Sequence, residues 1–227
     1  MKTIAVLTIG QTPRSDICKD FRALLPSDIA LTEFGVCDGL SERAIEERFG
    51  YRGTGTLLVT RLQNGSLVKL SEEAVLLGMQ DCIRRAEASG ALLQIVACTG
   101  VFPAYHHSRP LLFLGSLHRE STISQAQGAP IGVLVPVAEQ CEQIASWWRT
   151  AGVQAPLLEV ADPFGSISEI VAAAMRLSER GARVLCMDCF GYSLQARDRA
   201  AQESKLKIIL PREELVHEAV RILDAHH

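Results

Sequence analysis

The sequence has no long apolar run and no basic run. A helix that spans a bilayer needs about 20 consecutive apolar residues, and no stretch reaches that length. The 23 basic and 26 acidic residues are spread along the chain, without a stripe of basic and aromatic side chains that would indicate a nucleic-acid surface. We therefore expect neither a membrane nor a nucleic acid as partner, and a neutral or anionic small molecule instead.

No signal peptide is expected. The apolar run Ile4–Leu7 breaks at Gly10, so it is too short for the apolar region of such a peptide. The chain has seven cysteines, an odd number, without the spacing of a short secreted disulfide framework. These features predict a cytoplasmic protein whose cysteines are mostly free thiols.

Fingerprints of metal and nucleotide sites are also missing. Cys186 and Cys189 form a Cys-x-x-Cys pair, but no second cysteine or histidine pair lies at zinc spacing. Strand alternation would place these two side chains on opposite faces, so a redox or zinc site is the weaker alternative. The segment 10–16 has one glycine, unlike dinucleotide or phosphate loops. The sequence therefore predicts no metal and no cofactor.

Apolar, β-branched runs alternate with helical segments of ten or more residues along the 227-residue chain. This alternation predicts an α/β protein with parallel sheets flanked by helices. We expect an N-terminal lobe over residues 1–128 and a C-terminal lobe over residues 129–227, with the chain free to cross between them. Asn64-Gly65 between two apolar runs predicts a β-hairpin inserted in the first lobe.

An internal repeat relates the two halves. Gly90-Ala91 leads through an apolar strand to Cys98-Thr99-Gly100, and Gly181-Ala182 leads through another to Cys189-Phe190-Gly191. Ligands of open α/β sheets bind beyond the carboxyl ends of the strands. The repeat therefore predicts two pseudo-symmetric lobes that place Cys98 and Cys189 on opposite walls of one cleft.

Two opposed cysteines suit proton transfer at carbon. One thiolate can remove a proton from one face while the other thiol delivers a proton to the opposite face, because an unperturbed pKa of about 8.5 makes both forms accessible near neutral pH. The same pair could instead attack an alkene covalently and permit a cis–trans isomerisation.

Polar residues near these strand ends are candidates for substrate binding. Gln11, Thr12 and Arg14 follow the first strand and could bind a carboxylate. The guanidinium of Arg14 could do so through two parallel hydrogen bonds. Asp188 could assist as a general acid or cap a helix, and Tyr105 or His106 could activate Cys98. The complete set of predicted binding residues is Gly10, Gln11, Thr12, Arg14, Thr99, Gly100, Asp188, Gly191 and Tyr192.

The segment Thr8–Asp16 and the turns Ala97–Gly100 and Met187–Tyr192 resemble the AroM protein family, which is similar to the aspartate/glutamate/hydantoin racemase superfamily. The resemblance covers essentially the whole chain. It implies a two-lobed fold with an active site between the lobes and two facing cysteines. Amino-acid racemases usually continue the first cysteine with Asn-Thr or Asn-Ser, where Thr99-Gly100 stands here, so the resemblance does not carry the substrate over.

The sequence therefore predicts a cofactor-independent isomerase or racemase that acts on a small carboxylate or carboxamide, with Cys98 and Cys189 as acid and base. Two alternatives stay open. One is a non-catalytic metabolite-binding or regulatory protein on the same fold. The other is a decarboxylase of malonate-like acids that uses one cysteine. A homodimer is compatible with the fold.

Overall fold

The computed structural model describes residues 2–225, in which strands and helices alternate as the sequence predicts. Met1 and the terminal pair His226-His227, to which the sequence assigns no site role, lie outside the described residues. The strands are β1 (Lys2–Thr8), β2 (Ile29–Gly35), β3 (Leu57–Arg61), β4 (Leu67–Ser71), β5 (Leu93–Val96), β6 (Leu111–Phe113), β7 (Ile131–Val135), β8 (Leu157–Val160), β9 (Val184–Met187) and β10 (Lys207–Ile209). The helices are α1 (Ser15–Leu24), α2 (Glu42–Phe49), α3 (Glu72–Ala88), α4 (Leu114–Ala126), α5 (Cys141–Thr150), α6 (Ile167–Glu179), α7 (Leu194–Ser204) and α8 (Pro211–Ala225).

The chain divides into two compact units. The described part of the first unit covers residues 2–114 and 217–225, and the second unit covers residues 115–216. Helix α4 precedes residue 128, where the sequence predicts the end of the first lobe, and it is part of the second unit. The last turns of α8 belong to the first unit.

The first unit is built on a parallel sheet in the order β2-β1-β5-β6. Ile4 of β1 lies opposite Leu31 on one side and Leu93 on the other. Residues 4–8 of β1 are all buried, as expected for a central strand covered on both faces. Helix α3 buries one apolar stripe against the core of this unit, which includes Val75 and Met79.

The predicted hairpin is present as the antiparallel pair of β3 and β4. Gly65 has a φ of +91°, the left-handed backbone conformation that favours glycine in such tight turns. Leu58 and Leu70 of the hairpin are buried in the core of the first unit. The hairpin lies between β2 and β5 in the chain, where the predicted insertion is.

The second unit is built on a parallel sheet in the order β10-β9-β7-β8. Alternate residues of β7 and β9 point to different cores: Leu134 and Met187 belong to one cluster, and Val133 and Cys186 to another. Helix α6 begins with a capping box, as the side chain of Ser166 accepts from the backbone of its third helical residue.

The two sheets have the same strand order. Strands β1, β2, β5 and β6 of the first unit correspond to β7, β8, β9 and β10 of the second. The hairpin of β3 and β4 has no counterpart between β8 and β9. This agreement confirms the predicted α/β fold with two similar lobes.

Three elements differ from the prediction. From the sequence, the segment 137–150 is predicted to form one helix, but it consists of a 3-10 turn, Ala138–Gln140, followed by α5. Strand β6 and helix α4 were not predicted at all, because β6 has three residues and α4 has no apolar stripe. The fully buried positions of α4 include the polar residues His118 and Thr122. Among the helices of residues 2–225, none is long and apolar enough to cross a membrane.

Candidate active site

Cys98 stands two residues beyond the end of β5, and its side chain is half-buried at the edge of the first unit's core. Thr99 and Gly100, which follow it, are buried. A Cβ added to Gly100 would lie 3.5 Å from Cys98 Sγ and 3.2 Å from Leu58 Cδ2. The contact with Leu58 would be tight, whereas that with the thiol would be an ordinary van der Waals contact.

Cys189 has the corresponding position in the second unit, two residues beyond the end of β9, and it is also half-buried. The N–H of Gly191 donates to Cys189 Sγ at 3.4 Å. A Cβ on Gly191 would lie 2.7 Å from Cζ of Phe164, closer than such contacts allow. The close approach of Phe164 therefore requires glycine at position 191 and fixes the turn around the thiol.

Asp188 is fully buried, and both of its carboxylate oxygens are hydrogen-bonded inside the second unit. His118 Nε2 lies 2.9 Å from Oδ1, and Trp148 Nε1 donates to Oδ2 at 2.8 Å. Because burial alone would raise the pKa of Asp188, its lowered pKa reflects the stronger opposing effects of His118, Arg119 and Trp148. Asp188 is therefore a buried carboxylate.

The alternative prediction that Asp188 caps a helix is wrong. Ser193 is the N-cap of α7, and its side chain accepts from the N–H of Ala196 at 3.1 Å. Tyr192 is fully buried, and its hydroxyl donates to the carbonyl of Ala161. Both side chains named from the Asp188–Tyr192 turn thus have partners within their own unit, and their part in ligand binding stays a prediction.

The loop after β1 is bound by two carboxylates from neighbouring segments, Asp16 in α1 and Asp38 in the turn after β2. Arg14 is buried, and its Nε and Nη2 donate to the two carboxylate oxygens of Asp16, each at 2.9 Å. Burial would raise the pKa of Asp16, but the hydrogen bond and charge of Arg14 lower it overall. Thr12 donates its backbone N–H and its hydroxyl to Asp38 Oδ1, at 2.7 and 3.0 Å. The side chains of Thr12 and Arg14 are therefore both hydrogen-bonded to carboxylates of the first unit.

Two further residues of this loop are tied to the hairpin side of the first unit. Gln11 Nε2 donates to the carbonyl of Leu40 at 2.8 Å, and its Oε1 accepts from the N–H of Gln63 at 3.2 Å. A Cβ on Gly10 would lie 2.6 Å from Thr60 Oγ1, so only glycine permits this approach. The predicted ligand residues Gly10, Gln11, Thr12 and Arg14 are thus brought together in one loop of the first unit.

The predicted helpers of Cys98 lie in the loop that follows it. Tyr105 is half-buried and donates its hydroxyl to the carbonyl of Leu76 at 3.3 Å. Burial, with a contribution from Glu72, raises the pKa of Tyr105 to about 12, which keeps its hydroxyl protonated near neutral pH. His106 is exposed, and its backbone N–H and carbonyl are both bound by Gln80.

The Cys-x-x-Cys pair is divided between two faces of the second sheet. Cys186 is fully buried in the cluster that includes Trp148, whereas Cys189 packs against the cluster that includes Tyr192. Burial, followed by the charge of Asp188, raises the pKa of the Cys186 thiol well above its ordinary value. Within residues 2–225, no group of three or more His, Cys, Asp and Glu side chains is arranged to hold a metal ion.

Sequence reasoning missed the side chains that surround the Cys189 turn from α4 and α8. His118 and Arg119 on α4 are both buried. Arg212 at the start of α8 is fully buried, and its Nη2 donates to the carbonyl of Phe190, which follows Cys189. Pro211 at the first helical position predicts where α8 begins. No sequence pattern indicates that the side chain of the next residue, Arg212, is buried.

The family model of the AroM protein matches residues 4–223. The chain belongs to the AroM protein family. A comparison of this sequence with the sequences of curated proteins found no match.

Solved structures share the fold of the AroM-family protein at low sequence identity. A liganded mutant of arylmalonate decarboxylase is 13% identical, with a TM-score of 0.66, and the match covers 97% of this chain and 92% of that one. Allantoin racemase from Klebsiella pneumoniae is 12% identical, with a TM-score of 0.66 and coverage of 100% and 89%. Glutamate racemase from Bacillus anthracis is 15% identical, with a TM-score of 0.62 and coverage of 99% and 82%. These neighbours confirm the predicted fold, which this chain shares with arylmalonate decarboxylase and the two racemases.

Proposed function

We propose that this AroM-family protein is a cofactor-independent racemase or isomerase of a small carboxylate or carboxamide, with Cys98 and Cys189 as opposed acid and base. One observation carries the proposal. The two sheets have the same strand order, and each cysteine stands two residues beyond corresponding strands, Cys98 after β5 and Cys189 after β9. Ligands of open α/β sheets bind at this carboxyl end of the strands.

The thiol chemistry is suited to both halves of a proton transfer. A thiolate at one cysteine removes the proton from the substrate carbon, and the thiol at the other returns a proton to the opposite face. An ordinary pKa of about 8.5 leaves a modest shift to decide which form each sulfur adopts near neutral pH. Both cysteines are half-buried rather than enclosed in a core, which is compatible with contact to a ligand.

The relatives in structure support the class of substrate. Two of them are named as racemases, of allantoin and of glutamate, and these compounds carry carboxamide-type or carboxylate groups. At 12% and 15% identity the likeness concerns the fold, so the substrate of this chain is proposed only as a chemical class. Seven free thiols support a reducing compartment, for which we propose the cytoplasm.

The proposal is tested by solvent exchange. Single enantiomers of amino acids, 2-hydroxy acids, hydantoins and allantoin are incubated with the protein in D₂O, and loss of the proton at the stereocentre is followed by NMR. At least one compound is expected to exchange. Cys98→Ala and Cys189→Ala should each abolish turnover, whereas Cys141→Ala, at another half-buried cysteine, should retain it.

Two results would contradict the proposal. Turnover retained in both single-cysteine variants would end the two-cysteine mechanism. A compound that binds without exchange or chemical change would favour a metabolite-binding or regulatory protein instead.

A second candidate is a decarboxylase, because arylmalonate decarboxylase is among the structural neighbours. Decarboxylation of a malonate-like acid leaves an enediolate whose carbon takes up one proton, so one proton donor is sufficient. Release of carbon dioxide from phenylmalonate, abolished by only one of the two variants Cys98→Ala and Cys189→Ala, would support this candidate. Equal loss in both variants would favour the two-cysteine reaction.

A further inference from the structure

A phenylalanine ring lies against the glycine of each Cys-x-Gly turn. In the first unit, Phe102 Cε2 is 3.5 Å from the position that a Cβ on Gly100 would take. In the second unit, Phe164 Cζ is 2.7 Å from the same position on Gly191. The internal repeat pairs the two glycines but not the two rings, because Phe102 follows its own turn whereas Phe164 follows β8. Two unrelated segments therefore supply the same kind of side chain beside the two cysteines.

In the first unit, the ring and the thiol meet at one point. Cys98 Sγ is also 3.5 Å from the Cβ position on Gly100, and Leu58 Cδ2 is 3.2 Å from it. The sulfur and the edge of the Phe102 ring are therefore separated by no more than twice 3.5 Å. Leu58 is buried, whereas Phe102 is half-buried and Val101 before it is 48% exposed. The side chains that approach Gly100 beside the thiol are thus apolar, and one of them keeps exposed ring surface.

The Phe102 ring is held in place by stacking. Its centroid is 6.2 Å from that of Phe113 in β6, with 23° between the two planes. Tyr105 stacks on Phe113 as well, also at 6.2 Å. The three rings form an ordered group, and Phe102 is the member that reaches Gly100. A side chain that is already ordered loses little conformational entropy when a ligand packs on it, which favours binding at this ring.

In the second unit, one glycine contacts both the thiol and the ring. The N–H of Gly191 donates to Cys189 Sγ at 3.4 Å, and Phe164 packs against the Cα of the same glycine. Pro163 Cβ, at 3.1 Å from the Cβ position on Gly191, adds a second apolar contact. The turn that carries Phe164 is fixed by its N–H, which donates to Asp162 Oδ1 at 2.9 Å. Phe164 is half-buried, so it also keeps exposed ring surface beside a cysteine.

We propose that Phe102 and Phe164 determine the specificity of the site, and that the substrate carries an aryl or branched alkyl group on its reacting carbon instead of a charged side chain. Ring surface that such a group covers is removed from water, which favours its binding. A charged group at the same place would lose water without gaining a polar partner from the rings. This inference rests on the proposed function, in which both thiols act on one small carboxylate or carboxamide.

The first test compares two alkylating reagents that share a reacting group, iodoacetamide and N-benzyliodoacetamide. Peptide mass spectrometry gives the rate of each reagent at Cys98 and at Cys189, and the same cysteines in the urea-unfolded chain give the intrinsic ratio of the two rates. In the native protein, the ratio of benzyl to plain reagent should be about threefold to tenfold above the intrinsic ratio at both cysteines, the range that one aromatic contact supplies. A native ratio no higher than the intrinsic one, at either cysteine, would overturn the proposal.

The wild-type measurement is independent of thiol acidity and of any variant. Both reagents react with the same thiolate, so the pKa of the cysteine and its general accessibility affect both rates alike. Their ratio therefore reports only how well the surroundings of the sulfur accept the benzyl group. The result stands even if no variant at Phe102 or Phe164 folds.

Two polar variants assign the preference to the individual rings, and each is the control for the other. Phe102→Gln should lower the ratio at Cys98 and leave that at Cys189 unchanged, and Phe164→Gln should do the reverse. Phe102→Leu and Phe164→Leu keep an apolar side chain and should retain most of the preference. Unchanged ratios in the glutamine variants, or an equal fall at both cysteines in either of them, would overturn the assignment.

A matched pair of substrates separates this inference from the proposed function. In the D₂O experiment, 5-benzylhydantoin should exchange its proton at the stereocentre faster than the hydantoin that carries a carboxyethyl group at the same carbon. Faster exchange of the charged compound would overturn the inference while the proposed function stands. If no compound exchanges but the alkylation ratios are raised, the proposed function fails, and the preference of the two rings for an apolar group is still supported.

Discussion

His118 Nε2 and Asp188 Oδ1 are 2.9 Å apart, although 70 residues separate them in the chain. Both side chains are fully buried. The pair joins helix α4 to the turn that carries Cys189, and Trp148 completes it from α5. Two helices of the second unit thus bind the carboxylate of the residue that precedes Cys189.

Loss of the indole donor should destabilise the protein. In Trp148→Phe, Oδ2 of Asp188 loses its N–H partner in a buried place, and an unsatisfied buried acceptor costs about 1–3 kcal/mol. Urea denaturation should show that decrease in the free energy of unfolding, with lost packing added to it. Trp147→Phe is the matched control, because Trp147 is only half-buried and contacts Arg119 by its ring. Similar losses in both variants would argue against the hydrogen bond as the cause.

The contribution of Asp188 to stability should depend on pH. Its pKa is lower in the folded protein than the ordinary value of 3.8, so its ionised form stabilises the fold above that pH. This contribution is lost as the pH falls through the folded-state pKa. We therefore expect Asp188→Asn to be less stable than the wild type at pH 7, because the variant lacks the charge that its buried partners stabilise.

The measurement for this pH dependence is the free energy of unfolding of wild type and Asp188→Asn at pH 7 and at pH values below 4. The difference between the two proteins should shrink on acidification. A difference that stays constant over this range would show that the carboxylate charge does not stabilise the fold.

Gly191→Ala should strain the Cys189 turn. The new methyl group would lie 2.7 Å from Phe164 Cζ, and overpacking of this kind costs about 1–3 kcal/mol. Phe164→Leu removes the atom in question and should restore part of the stability in the double variant. A double-mutant cycle by thermal or urea unfolding checks this, and strictly additive losses would refute a direct clash.

Native-state alkylation should separate the cysteines into two groups. Burial is the main cause that raises the pKa of Cys18 and Cys37 to about 12 and that of Cys82 to about 11. These thiols should therefore react slowly at pH 8, while the half-buried Cys98 and Cys189 react first. Peptide mass spectrometry after brief treatment gives the order, and early labelling of a buried cysteine would contradict it.

The sequence predicts correctly those helices and strands whose own residues show a helical, strand or turn pattern. The sequence predicts helices over residues 42–49 and 72–88, and α2 and α3 have these bounds. Apolar positions recur at helical spacing in each helix, and the first turn of each contains acidic residues. The hairpin follows from Asn64-Gly65 alone. The positions of Cys98 and Cys189 at strand ends also followed from the sequence, because each buried strand stops at a polar turn.

The sequence did not predict features that depend on contacts between residues distant in the chain. Helix α4 buries His118, Arg119 and Thr122, so its pattern is that of an exposed segment. Arg14 was predicted to bind a ligand carboxylate, but spacing alone does not reveal that Asp16 binds its guanidinium through two hydrogen bonds. Side-chain pairing of this kind appears only when the backbone is folded.

The division of the chain into two units affects the order in which the units can fold during synthesis. The second unit is one uninterrupted stretch, residues 115–216, whereas the first combines residues 2–114 with residues 217–225. Lys2 Nζ of the first segment binds Asp224 Oδ1 of the second at 3.0 Å. A ribosome works from the N-terminus, and domains commonly fold in that order. Here the later-made unit has all its residues before the earlier one does. The first unit is therefore complete only after residues 217–225 have been synthesised.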